Sequence, residues 1–211
     1  RAPPPPPPPP PRGGGTPPAR AARAAPAGSG APPALGGGAL LDVGVYPVSF
    51  ASMIFGTPTT ITGVAHLGET EVDEQGGVIL GYEDGRMAVL YTSIRVNTPS
   101  EVILMGTKGQ LKLHAPMFRP AALTLSRPGQ EDEVIEVAYE GNGYNYEAAE
   151  VMRCMRAGKT ESELMPLDET LSIMETIQSI ILASKGISLD EYAANTLLYF
   201  LQEMQPKDPF E

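Results

Sequence analysis

The sequence predicts an α+β fold: a mostly antiparallel sheet with helices packed on one face, preceded by a disordered Pro/Gly/Ala-rich arm. Three observations carry this. Seven short apolar runs, many of them β-branched, follow one another between Thr59 and Ala138, most of them joined by turn residues. Apolar residues at helical spacing lie before that block and again after it. Residues 1–35 hold 14 of the 23 prolines, four arginines and no acid, and offer nothing to bury.

The arm opens with an unbroken run from Pro3 to Pro11, which favours polyproline II. It is Arg- and Ala-rich and acid-poor, as transit peptides are, but lacks their amphipathic period. It could serve a Pro-recognising module. The simplest reading is a linker, or a misassigned upstream end of the gene. Residues 36–186 form the predicted domain, and residues 187–211 an additional helix and tail.

Gly36-Gly37-Gly38 leads into a dense apolar run from about Leu40 to Phe55, which Gly56-Thr57-Pro58 closes. Within it Asp42 and Tyr46 stand at i,i+4, so a helix places both on one face, one turn apart. Pro47 is tolerable in a first turn. An acid and a phenol held together at a helix entrance suit proton transfer. On the residues alone a plainer reading is commoner: Asp42 caps the helix and Tyr46 packs against the sheet.

The strands follow in order: Thr59 to His66, Val78 to Tyr82, Met87 to Ile94, Glu101 to Met105, Gln110 to His114, Ala122 to Ser126 and Val134 to Ala138. Glu83-Asp84-Gly85 and Gly106-Thr107-Lys108-Gly109 are hairpin turns. Val102 to Met105 is apolar on both faces, so both faces of the sheet need cover there, and helices supply one. After Gly143, a helix presents Ala148, Val151, Met152 and Met155 and stops at Gly158-Lys159. Asp168 is placed to cap the next, whose face is Leu171, Met174, Gln178 and Ile181, broadened by Ile177 and Ile180 and stopped at Lys185-Gly186. Ser188-x-x-Glu191 reads as a capping box for a third helix.

Without the arm's four arginines, 11 Lys and Arg face 25 Asp and Glu, against −10 for the whole chain. That argues against nucleic acid or an anionic membrane as partner. A single Cys excludes an internal disulfide and suits a reducing compartment, so a cytoplasmic location is expected. No apolar run approaches the ~18 residues that span a bilayer.

The stretch Gly36 to Pro47, reading GGGALLDVGVYP, resembles the central motif of the glucose–fructose oxidoreductase/inositol dehydrogenase/MocA family. More narrowly it is similar to the dimeric dihydrodiol dehydrogenase and D-xylose dehydrogenase branch, where Tyr stands in place of the His of many relatives. Asp73-Glu74, the Gly106 to Gly109 turn, Tyr146-Glu147-Ala148-Ala149 and Pro166-Leu167-Asp168-Glu169 continue the resemblance, over roughly residues 36–180. It implies a Rossmann domain binding NADP or NAD, with a catalytic Lys, upstream of this point. It implies that Tyr46 is the general acid/base with Asp42 its neighbour, that a sugar or cyclic diol is the substrate, and that two subunits pair through the sheet. Nothing before Gly36 reads as a strand–glycine loop–helix unit, and 35 residues are too few for a dinucleotide-binding domain, whose βαβ unit alone takes ~30. The cofactor domain and its Lys are therefore expected to be missing from this chain, no cofactor-binding residue is assigned, and no turnover is expected from it alone.

Other chemistry-bearing residues read as structural. His66 and His114 are far apart and each lies in a strand, so no metal is assigned. Cys154 reads as a packed thiol. Asp73-Glu74 and Glu131-Asp132-Glu133 read as solvated loop acids, Lys108 as a surface turn residue, and Tyr144-Asn145-Tyr146 as packing or substrate-side residues. The nine Met read as core. Two functions follow: the second domain of an NAD(P)-dependent oxidoreductase, or a non-catalytic dimerisation module. A third reading is a truncated gene-model fragment with no separate role.

Overall fold

A computed structural model describes residues 37–186. The predicted arm and the third helix lie outside the described residues. The chain opens with a π-helical turn, Leu40–Gly44, that runs into α1, Val45–Phe55. Pro47 lacks the N–H that would reach back to the preceding turn, in keeping with a wider turn just before it. Gly56 ends α1 with φ 76° and donates its N–H to Ser52 O at 2.7 Å.

Seven strands follow in the expected order: β1 Thr60–Leu67, β2 Asp73–Gly81, which begins at Asp73 rather than at the expected Val78, β3 Met87–Ser93, β4 Val102–Gly106, β5 Gly109–Leu113, β6 Ala122–Ser126 and β7 Glu133–Glu136. All pairings are antiparallel. They form two sheets rather than the single one expected, β1-β2-β3 and β4-β5-β6-β7. The break falls where Val96 to Glu101, with Pro99 inside it, replaces a tight turn, so β4 does not join the β3 edge.

Two helices close the described chain, α2 Tyr144–Arg156 and α3 Leu167–Ser184. The π turn, α1 and α3 pack on one face of the first sheet. Leu40, Val48, Val78, Leu80, Ile177 and Ile180 form its centre, with Tyr82 and Ile173 beside them. Full burial of each such aliphatic is worth ~1.5–3 kcal/mol. Ser52 Oγ donates to Glu169 Oε1 at 2.5 Å and ties α1 to α3.

Several side-chain assignments change. The buried face of α3 is Ile173, Ile177 and Ile180, whereas Leu171 and Met174 are exposed. α3 is apolar on most of its circumference, so periodicity alone does not choose the stripe that meets the sheet. Its N-cap is Pro166, with Asp168 inside the first turn and making no cap bond. On α2, Val151, Met152 and Met155 are exposed and Cys154 is the buried residue. Met53, Met87, Met105 and Met155 are exposed too, so much of the methionine is not core.

Candidate functional site

Asp42 and Tyr46 both project from the start of the first helix, as their spacing requires. Asp42 is exposed, and Tyr46 is 48% exposed. The backbone beneath them is held from the sheet. Asp42 N–H donates to Gly38 O at 3.1 Å, closing the first turn. Ala39 O accepts from the buried Thr92 Oγ at 3.0 Å. Leu40 N–H donates to Asp73 Oδ2 at 2.7 Å.

Asp73 was expected among solvated loop acids. It instead begins β2, at a register shift that sets Leu67 opposite it, after a turn in which Glu71 takes φ 61°. Burial pushes its carboxyl above the ordinary value of 3.8, and the backbone N–H groups of Leu40, Asp73 and Ala39 oppose that shift. Gly38 has φ 121°, and a Cβ there would collide with Asp73 Oδ1, so only Gly fits.

The residue that sequence reasoning missed is Phe118. Its ring lies 5.4 Å from that of Tyr46, tilted by 34°. It sits in the β5–β6 connection, in the run Pro116-Met117-Phe118-Arg119-Pro120. An exposed Phe between prolines in a loop was the available signal. The adjacent Arg119 guanidinium lies 5.5 Å from the Tyr139 ring and donates to Asn142 O at 3.4 Å. A groove of about 420 Å³ runs beside this site, lined by Val43, Pro47, Phe50, Tyr91, Ser100 and Met117. Asp42, Tyr46 and Phe118 do not line this groove, which extends onto Met87 and Val89 of β3.

The remaining candidates fall apart from this site. His66 Nε2 lies 3.2 Å from Arg95 Nη1, and His114 Nε2 lies 2.8 Å from Thr124 Oγ. Among the described residues no three His, Cys, Asp or Glu side chains gather to hold a metal. Cys154 donates to Glu150, and Lys108 is exposed in its turn. Tyr144 and Tyr146 are exposed, with Tyr146 Oη accepting from Glu140 N–H at 2.8 Å. Among the described residues no helix is long and apolar enough to cross a membrane.

A dinucleotide phosphate sits best on free N–H groups at a glycine-rich helix start. Here Leu40 N–H is already bonded to the Asp73 carboxylate, whose charge opposes a second anion. This helix start therefore does not fit the phosphates of NAD or NADP.

The family model for the GFO/IDH/MocA C-terminal domain matches residues 16–112. Trans-1,2-dihydrobenzene-1,2-diol dehydrogenase of Xenopus tropicalis is 32% identical over 161 residues, 73% of this chain and 48% of that protein. The Homo sapiens enzyme of the same name is 34% identical over 151 residues, 68% of this chain and 45% of that protein. The chain thus spans about half the length of the curated relatives it matches. Among solved structures, aldose-aldose oxidoreductase from Caulobacter crescentus superposes with TM-score 0.62 at 19% identity, over 72% of this chain and 46% of that one. A 3-ketoreductase from Actinomadura kijaniata, crystallised with NADP and TDP-benzene, gives 0.60 at 20% identity, over 71% of this chain and 48% of that one. The chain belongs to the GFO/IDH/MocA family, and residues 16–112 match the model of that family's C-terminal domain.

Proposed function

We propose that residues 36–186 are the substrate-side domain of an NAD(P)-dependent oxidoreductase that acts on a cyclic diol or a sugar such as D-xylose. In this reading residues 1–35 are a linking arm and residues 187–211 an added extension. The observation that carries the proposal is the exposed Tyr46 phenol at a helix start, flanked at 5.4 Å by the Phe118 ring. The aromatic pair forms a wall against which the apolar face of a small ring can lie, leaving the substrate hydroxyl toward Tyr46 Oη.

The chemistry this chain supplies is the proton. Tyr46 Oη takes it from a substrate hydroxyl in oxidation and returns it to the carbonyl oxygen in reduction. A phenol of ordinary pKa near 10 needs a cation beside it to act as base at pH 7. The resemblance assigns that cation to a Lys of the cofactor domain, and the nicotinamide to the same domain. Asp42, one turn from Tyr46, adds an acceptor for a second substrate hydroxyl.

The test has two parts. In the first, the 211-residue chain is titrated with trans-1,2-dihydrobenzene-1,2-diol and with D-xylose while the ring resonances of Tyr46 and Phe118 are followed. Both rings are expected to shift with one of the two, and no shift with either overturns the substrate assignment. In the second, Tyr46→Phe in the native protein isolated from its source is expected to slow turnover by about 10²–10⁴-fold. Unchanged turnover removes Tyr46 from the chemistry. The 211-residue chain alone is expected to reduce no NADP⁺ with either compound.

A second copy of the chain is the proposed partner. Val64, Ile79, Met87, Val89 and Tyr91 are exposed on the sheet face opposite the helices, with Val89 at 70%. Soluble monomers rarely leave such a contiguous apolar face uncovered. The same face supports the alternative of an assembly module without catalysis, and turnover by the native protein decides between them.

A further inference from the structure

We propose that Asp73 is a positioning residue that, with Thr92, clamps the first turn of the helix and so aims Tyr46. The inference rests on Tyr46 being the acid/base group. The helix lacks a local cap: its N-cap is Ala39, with no side-chain bond from neighbouring residues. Gly36-Gly37-Gly38-Ala39 offers no Ser, Thr, Asp or Asn, the residues that normally satisfy the first N–H groups. Asp73 takes that place from 33 residues away through Leu40 N–H at 2.7 Å. Its negative charge also lies at the positive end of the helix.

Thr92, on β3, holds the carbonyl of the preceding residue at 3.0 Å. Two strands therefore grip the two ends of a single peptide group, the Ala39–Leu40 amide, Asp73 at its N–H and Thr92 at its carbonyl. Gly38 is the third part, since a Cβ on it would displace the Asp73 carboxylate. No side-chain hydrogen bond fixes Asp42 or Tyr46 among the described residues, so the direction of the phenol depends on the backbone below it and on the Phe118 ring beside it. That backbone is a π turn, wider than an α turn.

The test uses the full chain with Asp73→Ala, Asp73→Asn and Thr92→Val. Amide hydrogen exchange is read over Gly38 to Tyr46 and over Ile173 to Ile180, and the Tyr46–Phe118 ring contact by nuclear Overhauser effect. In Asp73→Ala, exchange at the helix start is expected to rise about fivefold to tenfold, the size of a lost cap. The ring contact should weaken while α3 keeps its protection. Asp73→Asn keeps an acceptor and should restore both. Unchanged exchange in Asp73→Ala overturns the proposal. So does loss of α3 protection in step with the helix start, which makes Asp73 a general stability residue. If Asp73→Ala does not fold, Thr92→Val decides by the same two readouts. None of these needs turnover, so a failed Tyr46→Phe assay leaves the clamp result standing and the reverse holds too.

Discussion

Asp73 Oδ2 accepts the backbone N–H of Leu40 at 2.7 Å, and this bond joins the start of β2 to the helix that carries Tyr46. The carboxylate stands in for a cap that the glycine-rich lead-in does not encode. It is half-buried, so it acts at a cost in lost hydration.

That cost has a pH signature. Burial raises the Asp73 carboxyl above 3.8 in the folded chain. Between 3.8 and the raised value the folded chain holds a proton that the unfolded chain has lost, so this group's contribution is full below 3.8 and falls as pH rises. Asp73→Asn has no such proton. Denaturant unfolding of both chains should show the wild type losing ground to Asp73→Asn from about pH 3.5 upward, levelling off above the raised value. A difference with the opposite slope contradicts the assignment.

Glu150 has the opposite sign. The Arg153 guanidinium, then the Ser162 hydroxyl, hold its carboxyl down at about 2. Its contribution is present above the ordinary value of 4.5 and is lost as pH falls through about 2. Since Ser162 Oγ donates to Glu150, the segment that follows α2 should loosen in acid. Hydrogen exchange over residues 157–166 is expected to quicken at the acid end relative to pH 5, after correction for the intrinsic rate. Glu150→Gln at pH 7 should look like the acid form.

Ile177 and Leu171 lie on the same helix, yet only Ile177 is buried. Ile177→Ala should destabilise the domain by about 2–5 kcal/mol. Leu171→Ala should stay within about 0.5 kcal/mol. Equal losses in urea unfolding would mean that a different stripe of α3 faces the sheet.

Val89 stands in the middle of the exposed sheet face, opposite Ile79 on β2. Val89→Glu places a charge there without touching the helix side. By light scattering at micromolar concentration the wild type should be dimeric and Val89→Glu monomeric, with the circular dichroism spectrum preserved. A monomeric wild type removes the second copy as the occupant of that face.

The legibility of the fold follows the range of the interactions. Gly56 ending α1, the turns at Gly85 and Gly109, and all seven strands were readable because each depends on neighbours a few residues away. The positions of Asp42 and Tyr46 on one helix were readable for the same reason, and the family could be recognised from the twelve residues around them. Whether they perform the chemistry is a matter for the assays above.

What the sequence by itself determined is the local order of elements and the family. What the tertiary structure decided is everything that one segment asks of another. Ile173, Ile177 and Ile180 were chosen over Leu171 and Met174 because the sheet accepts one stripe of an almost wholly apolar helix. The strands divided into two sheets because the Pro99 connection is no turn. Phe118 reached Tyr46, and Asp73 reached Leu40, because folding set a loop and a strand start against the first helix. Periodicity reports neighbours within a few residues, and these contacts are fixed by packing between distant parts of the chain.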